Sequence, residues 1–464
     1  VFLDGVLLPS RERFEVTNPY DGTVVGSAPA DGPAEVERAV AAAAACGDCP
    51  DPEQRAAVLR AAAGLLGERA EEFALLITRE SGVCLRETRK EVVRARANLS
   101  VAAEEALRLT GETFDLAVGG ARRLALTIHE PVGVVAAFTP FNRPLNQVVV
   151  KVAPAVAAGN RVVLKPSEKT PLTALALADL LVEAGLPPGM LAVLTGPPGR
   201  LGPALAGHPL VDMVTFTGGT RAGRAVAARA AGRRIVLELG GNDPLVVLAD
   251  ADLELAARLA ADGAFATAGQ SCRGVKRVLV AEGVADEFAV LLAAATKEKR
   301  WGDPADPSVD VGPLISEDAA REVERRVADA VRRGARVLTG GDRDGSLLPP
   351  VALDHVPADA PLVVEETFGP VAPVVRVRDA AHAARVANST PYGLQAGVVT
   401  NSARDFLTLA QDLRVGAVNL MEGPNFDSPH IPFGGVKASG IGREGIRCSV
   451  REMSTVKTLT MPLR

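Results

Sequence analysis

A chain of 464 residues, 47% hydrophobic and 23% charged, is long enough for two or three domains with buried cores. Its formal net charge of −5 excludes the basic excess that nucleic-acid binding draws on, so an anionic ligand needs a locally positive pocket. Five cysteines, odd in number and sparse, make no disulfide framework and fit a reducing cytoplasm; no apolar run of about eighteen residues offers a membrane span, and Val1-Phe2-Leu3-Asp4 lacks a signal peptide's charged start.

In chain order, residues 1 to about 30 set short apolar runs around Asn18-Pro19 and Asp21-Gly22, which predicts a strand hairpin ahead of the first helix. From Pro33 to about Arg108 the pattern is helical, with turns near Cys46 to Pro52 and at Ser81-Gly82. The last of these helices, roughly 87–109, carries Arg89, Arg94, Arg96 and Arg108, each of which taken singly reads as a solvated face. Cys46 and Cys49 have redox-motif spacing, but Gly47-Asp48 and Pro50 mark a surface loop with no strand before it, so no redox role is assigned and no metal site is read. From residue 132 apolar strands alternate with helices, over 132–138, 148–158, 161–164, 172–183, 191–194, 213–217, 222–231 and 235–239. This alternation predicts a parallel, doubly wound sheet with its ligand at the carboxyl edge. A second series follows Asn242, with strands at 245–248, 275–280 and 335–337 and helices at 252–267 and 285–298. The tail, 454–460, is β-prone, an edge strand that invites pairing with another chain.

Two positions carry chemistry. Ile235-Val236-Leu237 reads as a buried strand, so Glu238 is expected at its mouth beside Gly240-Gly241, where a carboxylate can serve as a general base, although this stretch alone is a weak signal. Further on, Gly269-Gln270-Ser271-Cys272-Arg273 sets a cysteine beside Arg273 and near Lys276, and positive charge favours the thiolate that acts as nucleophile. The dinucleotide fingerprint GxGxxG is missing, since GPPGRLG at 196–202 offers only spaced glycines.

Seven motifs in order, TPFNRP at 139–144, KPSEKTP at 165–171, FTGGT at 216–220, ELGGNDP at 238–244, GQSC at 269–272, EETFGPV at 365–371 and PFGGVKASGIGREG at 432–445, make the chain resemble the aldehyde dehydrogenases over nearly its whole length. The resemblance implies an α/β fold of two doubly wound α/β domains: a variant Rossmann cofactor domain at 1–110 and 129–239, and a catalytic domain at 240–445. A small β oligomerisation arm at 111–128 and 446–464 would join subunits into a homodimer or homotetramer. The missing fingerprint is then expected, because these enzymes bind the nicotinamide dinucleotide in a variant manner. Cys272 would attack the aldehyde, the Asn142 side-chain amide and the Cys272 N–H would hold the oxyanion, and Glu238 would activate the water that hydrolyses the thioester. Lys151 and Glu444 match a proton relay or, read plainly, a buried ion pair.

For the cofactor, the resemblance implies Lys165, Ser167 and Glu168 around the adenosine ribose. The Glu168 carboxylate repels a 2′-phosphate, so NAD is favoured and NADP possible. Gly218-Gly219-Thr220 would open a helix toward the pyrophosphate, with Gly219 standing where many relatives have Ser. Glu366 and Phe368 match the nicotinamide-ribose clamp, and Thr139, Pro140, Phe141, Gly199, Phe216, Thr217, Leu239 and Gly240 complete the set.

Arg143 follows the oxyanion asparagine, Arg273 follows the nucleophile, and Arg94 faces the substrate tunnel by the resemblance, with Ser271 and Phe433 beside them. Guanidiniums so placed imply a small aldehyde with an anionic tail; the alternative turns one or two of them to solvent or to Glu91. Within the family the chain is similar to phosphonoacetaldehyde dehydrogenases through the runs at 143–172 and 240–254, which points to phosphonate metabolism. Those enzymes have His after the oxyanion Asn and Arg before the cysteine, where this chain has Arg143 and Ser271, so phosphonoformaldehyde enters as a substrate. Carboxylate semialdehydes, lactaldehyde and glyceraldehyde 3-phosphate stay open. Two rival readings are a CoA-acylating enzyme, against which Glu238 argues, and a non-enzymatic structural protein, against which Cys272, Glu238 and Asn142 together argue.

Overall fold

The computed structural model describes residues 1–47, 49–119 and 121–463; Asp48 of the Cys46–Cys49 loop, and Gly120 and Arg464 of the expected arm, lie outside them. Two large sheets carry the architecture. The first has eight strands in the order Gly440–Ile441, Arg234–Glu238, Met213–Thr217, Val134–Phe138, Arg161–Lys165, Leu191–Val193, Phe2–Leu3, Val6–Leu7. Its five central strands are parallel. Both edges depart from the all-parallel expectation: Phe2–Leu3 docks antiparallel on Leu191–Val193, and Gly440–Ile441 returns antiparallel to the strand that ends at Glu238.

Along these strands successive side chains enter opposite layers. Val135 and Ala137 join one apolar cluster, whereas Val134, Ala136 and Phe138 join another, so both faces are covered, as a parallel sheet requires. The second sheet repeats the pattern, with Val246 and Leu279 on one face and Leu245, Val247, Val278 and Val280 on the other. It has seven strands, all parallel except the edge pair Arg336–Thr339 and Val351–Asp354.

The N-terminal segment forms two hairpins, Phe2–Leu3 with Val6–Leu7 and Arg13–Thr17 with Val24–Pro29. The helical stretch then divides into Pro33–Ala45, Pro52–Glu68, Ala70–Ser81 and Leu85–Arg108. The break at Arg69 was not in the sequence pattern; its backbone leaves the helix at φ −102 and its guanidinium holds Glu183 at 2.6 Å. Gly82, at φ 73, ends the third helix in the left-handed conformation that glycine adopts without strain.

A third sheet of three strands stands apart: Ser454–Pro462 pairs antiparallel with Ala121–Pro131, which pairs antiparallel with Thr113–Val118. Apolar side chains including Phe114, Leu116, Val456 and Leu459 are exposed on it. Helix Ile446–Glu452, placed with the arm in the sequence reading, instead packs on helices Leu85–Arg108 and Asn146–Ala157, with Ile446, Val450 and Met453 in the core. Among the described residues no helix is long and apolar enough to cross a membrane.

Candidate active site

The carboxyl ends of the first sheet open onto a cavity of about 430 Å³. Thr139, Pro140 and Phe141 line it just after one strand, Lys165, Ser167 and Glu168 at and after the end of the next, and Phe216, Thr217, Gly218 and Gly219 at and after the end of a third. Leu239 and Gly240 follow a fourth strand of the same sheet, and Glu366 and Phe368 close the cavity from the second sheet's side. Gly199 lines an adjoining recess of about 420 Å³, which shares Phe138, Lys165, Pro198 and Phe216 with the main cavity.

The groups in this cavity suit a ribose- and phosphate-bearing ligand. Gly219 caps helix Thr220–Arg229 with no side-chain hydrogen bond, so the first-turn amides stay available to an anion. A Cβ on Gly219 would meet nothing within 4 Å, so glycine here leaves room and merely lacks a hydroxyl. The Thr139 and Thr217 hydroxyls are buried without a partner among the described residues. Lys165 Nζ lies 3.4 Å from Glu168 Oε2, Glu366 Oε1 accepts from the Gly241 N–H at 3.1 Å, and Phe141 meets Phe368 edge-on at 6.0 Å.

Cys272 and Asn142 line this cavity and also a second one, of about 260 Å³, on its far side. The helix expected to run through Thr267 stops at Phe265; Thr267 (φ 57), Ala268 (φ 52) and Gly269 (φ 68) then turn in the left-handed region and deliver Gln270-Ser271-Cys272 to the junction. Left-handed Thr and Ala store strain. Gly269 is required there by packing as well, since a Cβ would fall 1.9 Å from the Gly369 carbonyl oxygen. Asn142 Nδ2 donates to the Gln270 carbonyl at 2.8 Å.

The expected thiolate is corrected. Burial pushes the Cys272 thiol up to about 12; Arg273 opposes this, while Glu366, Asp243 and Glu238 reinforce it. Lys276, expected to help, directs its ammonium to the Gly269 carbonyl at 2.6 Å and the Thr367 carbonyl at 3.0 Å.

Glu238 ends its strand at the junction but lines neither cavity. Its Oε1 lies where a Cβ on Gly434 would come within 2.6 Å, and neither oxygen has a hydrogen-bond partner among the described residues. Burial, and then the Glu444 carboxylate, hold its pKa well above the carboxylate range; Lys151 and Arg443 act in the other direction. Lys151 is fully buried, pairs with Glu444 and donates to Thr215 Oγ1 at 3.1 Å, so the two expected relay residues form an ion pair beside Glu238.

The second cavity gathers Arg94, Arg143, Arg273, Ser271 and Phe433, all five expected substrate residues. Arg143 donates to Thr267 Oγ1 at 2.7 Å and lies 3.5 Å from Glu87 and 3.9 Å from Glu91. Arg273 stacks 5.6 Å over the Phe433 ring and holds Asp427 at 3.1 Å, and Arg94 approaches the same carboxylate oxygen at 3.7 Å. Of the other arginines on helix Leu85–Arg108, Arg89 pairs with Glu71 and Arg108 with Glu104 at the surface, as a solvated face requires. Sequence reasoning missed Lys90, Asn98, Asn146, Gln147 and Asp427, which also line this cavity. Lys90, Arg94 and Asn98 recur every fourth residue of one helix, a stripe that spacing could have revealed. Asp427 lies in an irregular loop without such a signal.

The comparisons agree with this geometry. A family model described as "Aldehyde dehydrogenase family" matches residues 7–459. A 3-sulfolactaldehyde dehydrogenase of Priestia megaterium is 39% identical over 466 residues, covering 100% of this chain and 98% of its own. A sulfoacetaldehyde dehydrogenase of Neptuniibacter caesariensis is 39% identical over 412 residues, covering 88% of this chain and 90% of its own. The crystal structure of an NADP-dependent glyceraldehyde-3-phosphate dehydrogenase from Bacillus halodurans, complexed with NADP, superposes with a TM-score of 0.96 at 36% identity, over 100% of this chain and 99% of that one. The chain belongs to the aldehyde dehydrogenase family.

Proposed function

We propose that this protein oxidises a short aldehyde with an anionic tail to the acid, using NAD and accepting NADP. The observation that carries the reading is the position of Cys272 and Asn142 at the junction of two cavities, one with free helix-terminal amides and unpartnered hydroxyls, the other lined by Arg94, Arg143 and Arg273. The phosphonate reading from sequence widens: the relatives named for sulfolactaldehyde and sulfoacetaldehyde put a sulfonate beside phosphonate and carboxylate as the tail.

Cys272 Sγ attacks the carbonyl carbon, and the oxyanion that forms is met by the second Asn142 amide hydrogen and the Cys272 N–H. Because burial keeps the thiol protonated, its proton passes to water in the cavity as the sulfur–carbon bond forms. The nicotinamide dinucleotide, when bound, supplies the hydride acceptor that converts the adduct to a thioester. Glu238, in its ionised form, then turns from Gly434 toward the cavity and takes a proton from water as the water oxygen attacks the thioester carbon; the carbon–sulfur bond breaks, Cys272 leaves as thiolate and is reprotonated, and Glu238 passes its proton to the Lys151–Glu444 pair. Release by water rather than by CoA follows from that role. Lys165 and Glu168 hold the adenosine ribose, and the exposed three-stranded arm joins subunits.

A panel of sulfonated, phosphonated, carboxylated and neutral aldehydes of equal length, scored by NADH and NADPH formation, tests this. Anionic aldehydes are expected to exceed propanal in kcat/KM by about one to two orders of magnitude. Equal rates across the panel would remove the anionic-tail reading.

A further inference from the structure

The charges around the second cavity do not cancel. On one side Lys90 and Arg143 face Glu87 and Glu91: Lys90 lies 2.7 Å from Glu87, and Arg143 lies 3.5 and 3.9 Å from Glu87 and Glu91. Glu444, a second acid on the wall, is paired with Lys151, which like Glu91 lies behind the lining residues. On the other side, two guanidiniums share one carboxylate, with Arg273 Nη2 and Arg94 Nη1 3.1 and 3.7 Å from the same Asp427 oxygen. Among the residues that line the cavity, Lys90, Arg94, Arg143 and Arg273 stand against Glu87, Asp427 and Glu444, so the wall holds one positive charge in excess.

That excess has a direction. Arg273 Nη1 is buried and has no hydrogen-bond partner among the described residues, while Asp427 and the Phe433 ring fix the rest of the guanidinium. A buried unpaired donor on a charged group is costly and marks where a ligand acceptor is wanted. Arg94 stands beside it: burial, and then the neighbouring Arg273, lower its pKa, while Asp427 and Glu91 act in the other direction.

We propose that Asp427 sets the charge of the substrate pocket so that it takes a singly charged tail, a sulfonate or a carboxylate, and disfavours a doubly charged phosphonate or phosphate. The proposal rests on the reading of this cavity as the substrate site. One negative charge at Arg273 Nη1 completes the pairing of Arg94 and Arg273. A second charge has no cation left to meet and is repelled by Asp427. Asp427 reaches the wall from the loop after strand Ala417–Leu420, where Asn425, Ser428 and Pro429 also line the cavity, so a loop residue rather than the rigid sheet makes the discrimination.

The test compares kcat/KM for sulfoacetaldehyde and phosphonoacetaldehyde, at a pH where the phosphonate is doubly ionised, in the parent enzyme, Asp427→Asn and Asp427→Glu. Two substrates measured on one preparation give a ratio that is insensitive to the fraction of protein correctly folded. The parent is expected to favour the sulfonate by about tenfold or more, Asp427→Asn to reduce that ratio about tenfold, chiefly by faster use of the phosphonate, and Asp427→Glu to keep the parent's ratio. An unchanged ratio in Asp427→Asn, an equal loss with both anions, or a glutamate variant that behaves like the asparagine one overturns the proposal. If instead the parent turns over propanal as well as either anion, the substrate-site reading itself fails, whatever Asp427 does.

Discussion

The Asn142 side chain donates a 2.8 Å hydrogen bond to the Gln270 carbonyl, joining the loop that leaves the first sheet to the left-handed turn that presents Cys272. The bond orients the amide and leaves its second hydrogen for an oxyanion. Asn142→Ala removes both contacts, and kcat is expected to fall by about 10²–10³. Asn142→Asp keeps the volume but adds charge beside the forming oxyanion, so its steady-state rate should be lower still. A kcat for the alanine variant within about threefold of the parent would show that another donor stabilises the oxyanion.

Burial raises the Cys272 thiol to about 12, and only the thiolate is alkylated. Iodoacetamide inactivation without dinucleotide should therefore accelerate about tenfold per pH unit from roughly pH 6 to 9 without levelling off. A plateau near neutral pH would mean that Arg273 outweighs burial. Cys272→Ala should lose turnover yet retain dinucleotide binding, followed by fluorescence titration.

Glu238→Gln should keep a pre-steady-state burst of NADH while steady-state turnover drops by about 10²–10⁴. Since its pKa is raised, the basic form grows only as pH rises through that raised value, so parental turnover should climb with pH and the glutamine variant's should not. Loss of the burst along with turnover would give Glu238 a part in the first half of the reaction.

Glu168 lies 3.4 Å from Lys165. Glu168→Ser removes the acid that opposes a 2′-phosphate and frees the buried Lys165 ammonium to meet it, so the ratio of kcat/KM with NAD to that with NADP should fall by about tenfold. A steady ratio would assign the preference to another group.

Arg273 and Arg143 differ in their surroundings, and their variants should differ too. Arg273→Ala deletes the buried Nη1 donor, so kcat/KM for an anionic aldehyde relative to propanal should fall by about one to two orders of magnitude. Arg143 is already engaged by Thr267, Glu87 and Glu91, so Arg143→Ala should change the ratio less and reduce turnover of both substrates by loosening the Thr267 turn. Equal ratios for the two variants would assign them the same role.

Residue order by itself determined the strand–helix alternation, because apolar periodicity acts within short stretches of chain, while Asn142 and most of the residues lining the first cavity came from motifs that resemble the aldehyde dehydrogenases. Gly199 lies in a recess that adjoins the main cavity and shares Pro198 and Phe216 with it, a division that glycine spacing does not show. The return of Gly440–Ile441 and of helix Ile446–Glu452 to the first sheet's layers had no local signal either, being a pairing between distant segments. The site's electrostatics belonged wholly to the tertiary structure. Arg273 and Lys276 beside a cysteine imply an activated thiolate, but burial outweighs them; three arginines imply an anionic tail, but Asp427 lies between two of them and takes up part of their charge. Charge is written in the sequence, but its effect is set by desolvation and by partners remote along the chain, and these exist only once the chain has folded.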